Sequence, residues 1–299
     1  MKSLVLIMLL SSLTIFGNRT EIIGQESINN LEEGNSDNKI QVFLLAGQSN
    51  MDGRANGNDL TKSDLERLAQ VADRILFYYN HQPVNPLQLT TPSKFVQDKF
   101  NFIKVFGPEL FFGIELAEKY PNKKFIFIKR SVGGTSLYGC WNPNWSFEKA
   151  CLIKEEDNPK LYSDFIEYTK GVLQAYDTEG YEIKGMLWVQ GEHDSYVDKW
   201  GEEPAVSYGK NLKNLVESVR TDLDVPKLPF VIFQVGYGKV VEGMIDTSKN
   251  DNFVFLIPQS DDTSSDYFYE QYPPPLWHYT TKSMRRIGTE FFKIFEKIL

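Results

Sequence analysis

Six short apolar runs, widely spaced and mostly unbroken by polar residues, constrain this chain more than any other feature. They are IQVFLLAG (40–47), RILFYYN (74–80), KFIFIKRS (124–131), IKGMLWVQG (183–191), LPFVIFQVG (228–236) and NFVFLIP (252–258). A strand with one wet face alternates apolar and polar residues. A continuous run of this length fits a strand covered on both faces, as in a parallel sheet. Between the runs lie amphipathic helical patterns. GPELFFGIELAEKY (107–120) places Pro108 and Glu109 in a first turn, and similar patterns occupy 162–177, 208–223 and 280–299. Strands alternating with helices predict βαβ units and a three-layer α/β/α sandwich around a central, mostly parallel sheet. With no internal repeat, one domain over 38–299 is the simplest organisation.

At 299 residues, with 41% hydrophobic and 14% aromatic content, the chain can bury a full core. Its start, MKSLVLIMLLSSLTIFGN, sets one lysine before about a dozen apolar residues, the pattern of a secretory signal and too short for a membrane span. The expectation is a signal peptide over 1–22, a polar linker over 23–37, and a secreted or periplasmic protein with no membrane span after signal removal. A formal net charge of −8 with scattered basic residues argues against nucleic acid as a partner. The two cysteines, Cys140 and Cys151, bracket a short loop, and either a disulfide or two reduced thiols fits an exported chain. Only three histidines, His81, His193 and His278, are available as a general base.

In open α/β sheets ligands bind outside the carboxyl ends of the strands, so the residues following the apolar runs carry the chemistry. Four such segments are polar or glycine-rich: Gly47-Gln48-Ser49-Asn50, Ser131-Val132-Gly133-Gly134-Thr135, Gln190-Gly191-Glu192-His193-Asp194, and the stretch ending at His278. Ser49 taken alone reads first as a helix N-cap, and the glycine pair as a tight turn. A nucleophile needs a base, and amide donors for the oxyanion of a tetrahedral intermediate; the four segments together supply both.

In this order, GQSNM, GGTS, QGEHD and His278-Tyr279-Thr280-Thr281 resemble the SGNH hydrolase superfamily, a flavodoxin-like fold, and within it the sialate O-acetylesterase-like group that also holds the acetylxylan esterases of carbohydrate esterase family six. The resemblance spans about 40–290. It implies a serine esterase that removes O-acetyl groups from carbohydrates without a cofactor or metal. Ser49 would be the nucleophile and His278 the base. The oxyanion donors would be the N–H groups of Ser49 and Gly134, with Gly133 the alternative register, and the Gln190 side chain. Asn50, Arg54, Thr135 and Asp194 would be substrate contacts. Two positions depart from the pattern. Pro275 stands where the family carries an aspartate three residues before the histidine, which leaves Glu192 as the first substitute acid and Asp194 as the second. His193 stands at an asparagine position and receives no role. The competing readings are a glycan-binding homologue without activity and an esterase or thioesterase for lipid acyl chains.

Overall fold

The computed structural model describes residues 39–299; the signal-like and linker segments expected over 1–22 and 23–37 lie outside the described residues. All six apolar runs are strands: β1 (Ile40–Gly47), which matches its run, β3 (Ile75–Tyr79), β6 (Phe125–Ser131), β8 (Phe230–Phe233) and β9 (Val254–Ile257), which are shorter than theirs, and β7 (Tyr181–Val189), which begins and ends two residues earlier. Two-residue strands complete the set, with β2 (Ala55–Asn56) paired to β5 (Val105–Phe106) and β4 (Asn85–Pro86) paired to β3. The main sheet has the order β4-β3-β6-β1-β7-β8-β9 and is parallel except for the β4 edge. Its centre is apolar on both faces, as the unbroken runs require: Val42 through Ala46 and Phe125 through Ile128 are fully buried.

The helices are α1 (Ser49–Asp52), α2 (Lys62–Val71), α3 (Lys94–Phe100), α4 (Glu109–Lys119), α5 (Phe147–Leu152), α6 (Leu161–Gln174), α7 (Val197–Trp200), α8 (Glu203–Asp222), α9 (Lys239–Asn250) and α10 (Thr281–Ile298). Side-chain parity along β7 shows how they divide. Gly185 points toward α10, because a Cβ there would lie 2.0 Å from the Phe295 ring. Phe295 in turn packs on Phe43 and on Phe112 of α4. Trp188, three residues further on, points the opposite way. Its ring meets Trp141 edge-on at 5.3 Å, and its indole N–H donates to Tyr208 of α8 at 3.4 Å. α9 closes on α8 where Gly209 and Gly243 meet, a contact so tight that a Cβ on either would approach the other's backbone within 3 Å. Helices α4 and α10 therefore cover one face and α8 and α9 the other, which is the three-layer sandwich.

Topology fixes where a site can form. The chain leaves β1 toward the β3 and β6 side, and after β6 it crosses β1 to reach β7. Connections that diverge on either side of a strand leave a crevice at its carboxyl end. Here that crevice opens above Gly47, Ser131 and Val189, which are paired across β6, β1 and β7.

Candidate active site

β1 ends on Gly47 with φ +152°, where a Cβ would lie 2.1 Å from the Val189 carbonyl oxygen. Only glycine lets the chain turn so close to β7. Gln48 then caps α1 without using its side chain, and Ser49 is the first helical residue. The capping alternative for Ser49 thus fails: among the described residues its hydroxyl makes no hydrogen bond, and Ser49 lines a cleft of about 650 Å³. Arg54, Gly133, Gly134, His193 and His278 line the same cleft. A Cβ on Gly133 would sit 3.5 Å from Ser49 Cβ, so the glycine-rich loop lies directly against the nucleophile turn. Gly134 adopts φ +72° with open space around its Cα, so glycine is needed there for conformation. Neither glycine N–H donates to a protein group among the described residues, which leaves both free for a ligand oxygen.

His278 reaches the cleft from the loop before α10. Its Nδ1 lies 2.5 Å from the Leu276 carbonyl oxygen, so Nδ1 carries the proton and donates it, and Nε2 is left as the basic nitrogen. The ring stands edge-on to Phe100 at 5.4 Å. Burial pushes its pKa down to about 4, opposed by the Leu276 bond and assisted by nearby Arg54. The imidazole is therefore neutral, as a base must be, well into the acid range.

The expected partner for this histidine is corrected by the geometry. Glu192 does not bond His278. Its Oε1 accepts from Asn50 Nδ2 at 2.7 Å and its Oε2 is enclosed without a partner, so burial pushes its pKa up. A backbone carbonyl, that of Leu276, takes the place next to Nδ1. Asn50 is spent in the same way: buried, it joins Glu192 to the Tyr279 N–H at 3.4 Å and steadies the loop that carries His278 without facing the cleft.

Three further expectations move from contact to support. The Gln190 amide is fully buried and donates to Asp194 Oδ2 at 2.6 Å, the Thr135 carbonyl at 3.0 Å and Gln48 Oε1 at 3.3 Å, so it has no donor left to face an oxyanion. Thr135 is buried, with its hydroxyl donating to the Val132 carbonyl at 2.8 Å. Asp194 is fully buried and accepts from Leu137 N, Tyr138 N and Gln190. Arg54 does lie in the cleft wall. Its Nη1 pairs with Asp52 at 2.5 Å, and its Nη2 is 3.0 Å from where a Gly133 Cβ would be. Arg130 instead forms an ion pair with Asp164 at 2.5 Å, outside the cleft lining.

His193 lines the cleft and lies against Trp200 at 5.1 Å, with a pKa pushed down to about 4 by burial and Lys199. Cys140 and Cys151 are both free thiols, and burial pushes the Cys140 pKa up. Sequence reasoning missed the polar floor: Asp52 accepts from Tyr79 at 2.6 Å and Ser131 Oγ at 3.0 Å, and Asn80 bridges to the Ser131 carbonyl at 2.9 Å. It also missed the exposed aromatics on the cleft, Phe95 and Tyr196. Of the tryptophans, Trp141 and Trp188 lie in the core and Trp277, next to His278 in the chain, is exposed. No helix among the described residues is long and apolar enough to cross a membrane.

Comparison with known proteins places the fold and the family. A probable carbohydrate esterase of Arabidopsis thaliana is 26% identical over 208 residues, 66% of this chain and 70% of its own. An Arabidopsis thaliana protein of known structure superposes with a TM-score of 0.60 at 21% identity, covering 87% of this chain and 98% of that one. The crystal structure of NanS gives 0.59 at 14% identity over the same shares. A carbohydrate acetylesterase from Xanthomonas citri gives 0.54 at 16% identity, over 84% of this chain and 55% of that one. At these identities the structural matches speak for the fold, which is the SGNH type the motifs resemble. The profile described as "carbohydrate esterase, sialic acid-specific acetylesterase" matches residues 39–297, so this chain, whose motif segments meet at one crevice, belongs to that family.

Proposed function

We propose that the protein is a serine esterase that removes O-acetyl groups from carbohydrates through an acyl-Ser49 intermediate. The observation that carries this reading is the convergence of an unbonded Ser49 hydroxyl, a neutral His278 and two free glycine N–H groups on one cleft. Ser49 Oγ attacks the acetyl carbonyl while His278 Nε2 takes its proton. The N–H groups of Ser49 and of Gly133 or Gly134 receive the developing oxyanion, and as the acetyl C–O bond breaks His278 gives its proton to the departing sugar oxygen, which leaves as a hydroxyl. Water, deprotonated by the same nitrogen, releases acetate. The Leu276 carbonyl supplies the orientation that an aspartate would give; as a dipole it stabilises the imidazolium less than a carboxylate does. Export rests on the N-terminal sequence alone and is tested by sequencing the amino terminus of the mature protein.

The test is acetate release from an aryl acetate, O-acetylated sialic acid and acetylated xylan, with acid quenching and mass analysis of the peptide carrying Ser49. Acetate release with a trapped acetyl-Ser49 supports the reading. Release without any acyl-enzyme overturns the mechanism. A folded protein that binds acetylated glycan and releases nothing would be the inactive homologue.

Arg54 bears on the substrate. Its Nη2 faces the cleft beside Ser49 and suits a carboxylate or a sugar hydroxyl. If the sugar is acidic, Arg54→Gln should raise its KM by about 10- to 100-fold, the value of a charge-assisted hydrogen bond. The same variant should leave an aryl acetate within about threefold, because that substrate carries no such group. Equal effects on both would assign Arg54 to the Asp52 floor instead.

A further inference from the structure

The loop that offers Gly133 and Gly134 continues as Thr135-Ser136-Leu137-Tyr138-Gly139-Cys140, and its backbone is tied down by two buried carboxylates. Glu155 accepts from Ser136 N and Ser136 Oγ, each at 2.7 Å, and from Cys140 N at 2.9 Å. Asp194 accepts from Tyr138 N on Oδ1 and from Leu137 N on Oδ2, each at 2.9 Å, and from Gln190 Nε2 on Oδ2. Gln190 passes the connection to Gln48, the residue before the nucleophile, and to the Thr135 carbonyl. Asp194 thus ties the segment after β7 directly to the loop after β6, and through Gln190 to the residue before Ser49.

Every neighbour bonded to Asp194 is a donor, so both its oxygens must accept. A protonated carboxyl, or an asparagine, would turn a donor toward Leu137, Tyr138 or Gln190 and break one of the three bonds. We propose that Asp194 is a positioning residue whose ionised carboxylate holds the Gly133-Gly134 loop against the Ser49 turn, so that turnover depends on its charge. This rests on the esterase reading above. Burial pushes the Asp194 pKa up to about 7, opposed by its three hydrogen bonds and assisted by the charge of Glu155. The other titratable groups around it are Glu192 and His193 on its own segment, Cys140 on the loop and Tyr208 of α8; His193, with its pKa near 4, brings no positive charge at neutrality. His278, also near 4, stays neutral where Asp194 titrates. The two groups therefore predict separate acid limbs.

The experiment uses the mature wild-type protein, Asp194→Asn and Ser49→Ala. It measures kcat and KM for an aryl acetate, and the rate of inactivation by an alkyl fluorophosphonate, which builds a tetrahedral centre on the nucleophile, from pH 4.5 to 9. For the wild type, kcat/KM and inactivation should both fall on the acid side with a midpoint near 7. At pH 8, Asp194→Asn should turn over about 10- to 100-fold more slowly with KM within about threefold, the cost of misplacing donors without losing the substrate. It should also lack the limb near 7. A variant that melts at lower temperature but keeps wild-type kcat while folded would overturn the proposal, because a merely structural role moves only stability. Should the variant not fold, the wild-type profile decides: turnover and inactivation that stay flat from pH 9 down to 5 overturn the proposal. Inertness of the wild type toward both probes, equal to Ser49→Ala, would sink the esterase reading itself and this inference with it.

Discussion

Ser49→Ala is expected to lower acetate release by about 10⁴- to 10⁶-fold while leaving the fold unchanged. The size follows from what the residue does: without the hydroxyl no covalent intermediate forms, and only binding and the glycine donors remain to favour attack by water. The small structural cost follows from the geometry. The hydroxyl bonds nothing among the described residues and caps no helix, so removing it should change stability by less than about 0.5 kcal/mol. His278→Ala should fall into the same range, and the double variant should be no worse than either single one, since nucleophile and base act as a unit. Purified variants, checked by circular dichroism and assayed for acetate, decide the matter. If Ser49→Ala kept more than about a hundredth of wild-type turnover, nucleophilic catalysis by this residue would be excluded.

The sheet was legible because burial on both faces leaves a plain trace. The β1 run was read over the residues the strand occupies, and β6 and β7 within two residues at each end, since a strand covered by helices must be apolar throughout. Less was legible where short local signals decide. α2 begins at a capping box in which the Thr61 side chain accepts from Asp64 N and the Asp64 carboxylate accepts from Thr61 N. That Thr-x-x-Asp pattern is visible in the sequence and would have placed the helix. The site was legible in its membership and not in its wiring. Ser49, His278 and the glycine pair were singled out because each follows a strand or precedes a helix at the sheet edge and the motif resemblance joined them, and the structure brings all of them to one cleft. Gln190, Thr135, Asn50 and Asp194 were also drawn to that edge, but a sequence does not show which way a side chain points once it arrives. All four turned out to be buried braces. Glu155, equally a brace, lies in a loop beyond α5 with no motif to mark it, and only the fold brings it under Ser136 and Cys140.

The second large effect concerns a residue the strand pattern hid. Lys129 sits in β6 with no exposed surface, its Nζ 2.8 Å from Glu109 Oε2 and donating to the Asp52 carbonyl at 3.1 Å. It also lies 5.0 Å from the Tyr79 ring centre. Lys129→Met should destabilise the protein by about 3–5 kcal/mol, because it strands the Glu109 carboxylate in the interior and leaves the last carbonyl of the nucleophile helix without a donor. The double variant Lys129→Met with Glu109→Gln should recover much of that loss. Glutamine keeps an acceptor for the Gly107 N–H, which now bonds Glu109 Oε1 at 3.0 Å, and no uncompensated charge remains buried. Urea unfolding of the three proteins measures both values. A loss below about 1 kcal/mol in the single variant would show that the pair is no better than its desolvation cost, whereas a double variant as unstable as the single one would put the weight on the Asp52 carbonyl. In the second case acetate release should fall as well, because the bond from Lys129 to that carbonyl anchors the end of the four-residue helix on which Ser49 stands.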